Sequence, residues 1–159
     1  MDTTQILYTL RDVKSFLGVF PSDTLSRSVT HSDMFIMNAN PHTDKRSHRL
    51  AVHFLPKSSS ALFFDPYRTV KLVPDITAFI QRNFTVWDYN RTQMQGLTHN
   101  VWGIYCCLFA LYINNRFTAK QFVGQFDRAS ADQQIVRAFA SEFGSSRGSG
   151  GGQCSSSFL

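Results

Sequence analysis

Three polar side chains, His48, Asp65 and Gln95, precede in that order a short loop that runs into the unbroken apolar stretch Ile104–Ile113. Acyl transfer through a covalent intermediate needs a nucleophile, a histidine to take its proton, a carboxylate or amide to orient that histidine, and donors for the oxyanion. These residue types match the last three requirements. His48 stands immediately before a strand-like run, and Asp65 closes the following run seventeen residues later. If the apolar stretch is a helix, its first N–H groups lack intrahelical partners and suit an anion. The thiols at hand, Cys106 and Cys107, lie inside the apolar run, where burial raises a thiol's pKa and makes it inert. Each residue also has an ordinary reading. The chain holds five histidines (His31, His42, His48, His53, His99), and one at a strand start is usually a polar edge residue. Alternation puts His53 on the opposite face from His48. Asp before Pro66 is common turn chemistry, Gln93 rivals Gln95, and Asn100 would serve as the N-cap of a plain core helix.

The joint order and spacing resemble one family. Gln95, then seven residues on the pair Trp102-Gly103, then Tyr105, Cys106 and Cys107 on the helix, is similar to the active-site run of the adenovirus-type cysteine proteases and the related ubiquitin-like-protein (SUMO) proteases. Asp65-Pro66-Tyr67 is similar to the family's acid, Pro or Ser, aromatic run. Gly18-Val19-Phe20 with Asp23 and Leu25 looks like the leading segment of such proteases in mobile viral elements. The resemblance implies a papain-like fold and an endopeptidase that processes viral structural precursors, often after small residues such as Gly. It makes His48 the base, Asp65 its orienting acid, Gln95 the oxyanion donor and position 102 the nucleophile. That position holds Trp102, and an indole has no ionisable thiol and can only donate. The chain as written is therefore expected to be inactive, and its alternative role is a non-catalytic module that binds peptide or capsid protein. Two further departures are Arg49, where the family usually has Trp, and Arg68, where a small residue is usual.

The elements that must position these residues read as follows. Asp2 or Thr3 caps a short helix to Leu10. Strands are expected at Phe16–Phe20, Met34–Asn38, Arg49–Leu55, Ala61–Asp65 and Phe84–Tyr89. Arg49–Leu55 alternates as a half-buried strand with Leu50, Val52 and Phe54 on one face, and the short loop 57–60 makes it a hairpin with the next strand. Asp75 caps a helix to Arg82, Thr118 caps a short helix carrying Phe122, and Ser130 caps a closing helix to Phe143. Because Ile104–Ile113 has no polar face, it is the central helix, buried on all sides and too short to span a bilayer. The fold class is α+β: a mainly antiparallel sheet packed on that helix.

Composition sets the bounds. With 159 residues, 43% of them hydrophobic and fifteen of them Phe, the chain forms one domain over 1–143, followed by a Gly/Ser-rich tail over 144–159 that is expected to be disordered. The net charge of +5 and pI of about 9.4 favour anionic partners, but the basic residues are scattered, so DNA is a weak expectation beside peptide or viral precursor proteins. Two adjacent cysteines and a third, Cys154, in the tail imply no disulfide framework and a reducing, intracellular compartment, while the resemblance implies the nucleus or the virion. No signal peptide, membrane span, metal site or cofactor is expected, and the chain is expected to be a monomer. Asn83-Phe84-Thr85 and Asn90-Arg91-Thr92 fit the glycosylation pattern, which is idle without secretion.

Overall fold

A computed structural model describes residues 1–25, 34–39, 48–55, 58–67, 74–90, 93–94, 101–127 and 129–144. Gln95, Arg68, Asn100, His31, His42, His99 and the tail from 145 onward, with Cys154, lie outside the described residues.

The chain opens with α1 (Thr3–Thr9), a helix too short to persist alone. It is held at its start by a capping box in which Asp2 Oδ1 accepts from Gln5 N–H and Gln5 Oε1 accepts from Asp2 N–H, both at 2.8 Å. Ile6 and Leu10 anchor its inner face, while Leu7 faces out. Strand β1 (Phe16–Pro21) follows and passes into a 3₁₀ turn, Ser22–Thr24. The ladder skips a residue between Phe16 and Gly18, and Gly18 sits at φ +145, a conformation that a side chain would disfavour. The other strands are β2 (Met34–Asn38), β3 (Arg49–Leu55), β4 (Ser60–Phe64) and β5 (Val86–Tyr89), and the helices are α2 (Pro74–Asn83), α3 (Trp102–Asn114), α4 (Ala119–Gly124) and α5 (Ala131–Gly144).

The fold is α+β with one five-stranded sheet in the order β1-β2-β3-β4-β5. The sheet is mixed rather than mainly antiparallel. β2–β3 and β3–β4 are antiparallel, but β1–β2 and β4–β5 are parallel. The connections explain this, since a long crossover precedes β2 and another, carrying α2, precedes β5, and such lengths permit parallel return.

Strand β3 is not half-buried. Residues Arg49 to Val52 and Phe54 are all buried, because both faces of the sheet are covered. Phe35, Leu50, Val52 and Phe63 pack with Phe79 and Ile80 of α2 on one side. Met34, Ile36, Ala51 and Phe64 pack with Tyr105 and Phe109 of α3 on the other, joined by Ile6, Phe122 and Ile135 from α1, α4 and α5. Phe64 stacks flat on Phe109 at 4.6 Å between centroids and meets Phe122 edge-on at 5.3 Å. This enclosure is why α3 tolerates no polar face along Tyr105–Ala110, all of it buried; its last turn is only half-buried.

Several boundaries differ from expectation, among them that of β4, which runs Ser60–Phe64 and leaves Asp65 just past its end. Pro74 opens α2, with Asp75 as the second residue instead of the cap, since proline's missing N–H costs nothing at the first helical position. Phe84 precedes β5 and turns its ring onto Phe54, Phe63 and Phe79 instead of continuing the strand. The residue at the N-cap of α3 is Val101, which makes no side-chain capping bond. Thr118 caps α4 as expected, through a second capping box with Gln121. Gly144 ends α5 and thus belongs to the folded unit. Among the described residues no helix is long and apolar enough to cross a membrane.

Candidate active site

The antiparallel register that pairs Ala51 with Phe64 sets the beginning of β3 beside the end of β4. His48 immediately precedes β3, where its carbonyl accepts from Ala39 N–H at 2.7 Å, and Asp65 immediately follows β4. Their side chains meet: His48 Nε2 lies 2.6 Å from Asp65 Oδ1. The carboxylate has no exposed surface and the imidazole only 15%. A carboxylate accepts, so the shared proton belongs on Nε2, which makes Nδ1 the basic nitrogen of the neutral ring. The ring is therefore oriented by an acid in the manner a general base requires.

Asp65 is itself held from two directions. Its Oδ1 also accepts from Tyr67 N–H at 2.9 Å. Its backbone is gripped by Asn90, just past β5: Asp65 N–H donates to Asn90 Oδ1 and Asn90 Nδ2 donates to the Asp65 carbonyl, each at 2.7 Å. Asn90 is 7% exposed. With its amide so engaged it is unsuited to carrying a glycan. In the sequence Asn90 stands out only as part of that glycosylation pattern. The available signal was its place one residue beyond a strand end.

Trp102 begins α3 beside this pair. Its ring meets His48 at 6.0 Å and 86° and Tyr67 at 6.0 Å and 61°, while Tyr67 lies 5.1 Å from His48. Trp102 Nε1 is buried and has no hydrogen-bond partner among the described residues. The next residue must be small, because a Cβ on Gly103 would come within 2.9 Å of Met1 Cβ. Thus three of the four sequence-predicted residues, His48, Asp65 and Trp102, are brought together. The fourth, Gln95, is outside the described residues. Met94, which precedes it, donates its N–H to the Pro66 carbonyl at 3.0 Å, against the Asp65–Tyr67 turn. Tyr105 braces that segment: its hydroxyl donates to Asp132 Oδ1 at 2.9 Å and lies 3.3 Å from the Met94 carbonyl. Burial, with the Asp132 carboxylate adding to it, pushes the Tyr105 phenol far above its ordinary pKa.

The remaining candidates are poorly placed for chemistry. Cys106 is wholly buried and its pKa is raised well above the ordinary thiol value, by burial first and then by the nearby Cys107 and Asp65. Burial likewise pushes Cys107 up to about 12. Both thiols are held neutral. Arg49, 8% exposed, donates from Nη1 to the Met1 carbonyl at 2.8 Å, and burial lowers its pKa. Burial also lowers the pKa of His53. An open groove between α1 and α5, lined by Tyr8, Val13, Phe139 and Phe143, shares no residue with the His48 site.

The arrangement provides a histidine oriented by a buried acid, with the indole of Trp102 beside it at the start of α3. No protein-family model matches the chain, and no curated protein matches it in sequence. No group of three or more His, Cys, Asp or Glu among the described residues is arranged to hold a metal ion.

Proposed function

We propose that the chain is a cysteine-protease domain of the adenovirus type, with that family's papain-like fold, in which Trp102 stands in the place of the nucleophilic thiol. The observation that carries this reading is the His48 Nε2 to Asp65 Oδ1 pair at 2.6 Å, set beside the first residue of a buried helix. Three residues far apart in sequence, His48, Asp65 and Trp102, meet there, which supports the reading. The ancestral reaction is endopeptidase cleavage of viral structural precursors. This chain does not perform it, since losing a triad's nucleophile costs on the order of 10⁶ in kcat.

A second reading has one observation in its favour. The Trp102 ring occupies the space next to the base, in contact with both His48 and Tyr67. A groove so altered would bind a peptide, such as a capsid protein or a ubiquitin-like tail, without cutting it.

Trp102→Cys separates the two. Under the first reading the variant hydrolyses small-residue peptide substrates, becomes alkylated at residue 102, and loses both properties on addition of His48→Ala. A folded Trp102→Cys protein that neither cleaves nor alkylates at 102 would overturn the protease reading and leave the binding module.

A further inference from the structure

We infer that Asn90 is a positioning residue for the His48–Asp65 pair: by locking the Asp65 backbone from the end of β5, it sets where the carboxylate meets the imidazole. This deepens the reading above and adds a residue that the motif resemblance does not include.

Asp65 lies just outside the β4–β5 ladder, whose last partners are Phe63 and Tyr89. A backbone unit at that place loses the two bonds that a neighbouring strand would give it, and buried peptide groups do not remain unpaired. The Asn90 side chain supplies both bonds. Its Oδ1 accepts from Asp65 N–H and its Nδ2 donates to the Asp65 carbonyl, each at 2.7 Å. The primary amide thus imitates a strand's peptide group, and it does so from a backbone that continues the ladder, since Asn90 N–H donates to the Phe63 carbonyl at 3.3 Å. Fixing N–H and C=O together fixes the Cα–Cβ bond of Asp65, from which the carboxylate projects toward His48. One oxygen, Oδ1, then receives both His48 Nε2 at 2.6 Å and Tyr67 N–H at 2.9 Å. A hydrogen bond as short as that to His48 is charge-assisted and weakens steeply with misalignment. Partners one shell out from a functional group commonly set its orientation in this way.

The test reads the pair itself, by nuclear magnetic resonance of the ¹⁵N-labelled full chain, so it needs no peptidase activity. In the unsubstituted chain the His48 Nε2 proton is protected from exchange with water. In Asn90→Ala its exchange accelerates about tenfold or more, the scale of losing one buried hydrogen bond, while the His53 ring signals and the far-ultraviolet circular dichroism stay as they were. Asn90→Asp, which keeps an acceptor for Asp65 N–H and loses the donor to its carbonyl, gives an intermediate rate. An unprotected Nε2 proton in the parent chain, or an unchanged rate in folded Asn90→Ala, would overturn the inference. If Asn90→Ala does not fold, the rate in Asn90→Asp decides, and unfolding of both makes Asn90 a stability residue and overturns the positioning role. Failure of Trp102→Cys to cleave peptides leaves this measurement untouched, so the two failures are distinguishable.

Discussion

Replacing Trp102 with Phe should leave the protein at least as stable as before, although it removes part of a large aromatic side chain. The indole Nε1 is buried with no hydrogen-bond partner among the described residues. A donor left so costs about 1–3 kcal/mol, and Phe has none. Against this stands the lost packing of two ring carbons at about 0.8 kcal/mol each when fully buried, halved to about 0.8 kcal/mol in total because Trp102 is only partly buried. The edge contacts with His48 and Tyr67, worth about 0.5–1.5 kcal/mol each, remain available to a phenyl ring. The balance runs from about zero to about 2 kcal/mol of stabilisation. In a chain of this size each kcal/mol moves Tm by about 2–4 °C. Calorimetry beside urea melts would measure it, with Trp102→Ala, which loses both ring contacts, as the control expected to be less stable than Trp102→Phe. A drop in Tm of more than about 4 °C for Trp102→Phe would refute the reasoning, because the indole N–H would then have an acceptor that matters more than its bulk.

Tyr105→Phe removes a wholly buried hydroxyl that joins α3 to Asp132 and reaches the Met94 carbonyl, so unfolding free energy should fall by about 1–3 kcal/mol; a neutral result in urea titration would mean that the bridge contributes nothing. Stability should decline at alkaline pH. Cys107 ionises near its ordinary value of 9.0 once unfolded but is held up to about 12 when folded, so its contribution is full below pH 9.0 and is lost as pH climbs toward 12. Cys107→Ala should flatten that slope in melts taken across the window, and an unaltered slope would contradict the assignment. A maleimide added to the native chain should leave Cys106 and Cys107 unmodified and should reach both after denaturation, as read by peptide mass mapping; native labelling of Cys106 would show an opening that its complete burial does not anticipate.

Much of the fold is legible in local chemistry. The capping boxes at Asp2–Gln5 and Thr118–Gln121 place α1 and α4 because a side chain three residues away completes each one. The apolar run of α3 announces its central place, since such a helix has nowhere polar to face. Strand direction is another matter. Nothing in Phe16–Phe20 or Val86–Tyr89 distinguishes a parallel neighbour from an antiparallel one, because side-chain alternation is the same in both. Phe84 reads as a strand residue by type, yet tertiary packing on Phe63 and Phe79 overrides that preference. At the site, the meeting of His48 and Asp65 is legible because they flank two strand-like runs joined by a short loop, and Trp102 because it opens the apolar helix. Asn90 is not, since it acts on the backbone of Asp65, and that contact exists only after β5 has returned beside β4.

The layout of the sheet also ranks its contacts by the chain entropy that each costs to form. His48 and Asp65 are 17 residues apart and flank the β3–β4 hairpin, the most local pairing in the sheet. Loop-closure entropy rises with the logarithm of separation, so this contact is among the least costly to form, whereas β1 and β5 wait for their crossovers and α3 comes later still. The imidazole and the acid can accordingly meet within the hairpin alone, without α3 in place. Substitutions in the hairpin should slow folding, and those along α3 to α5 should chiefly hasten unfolding.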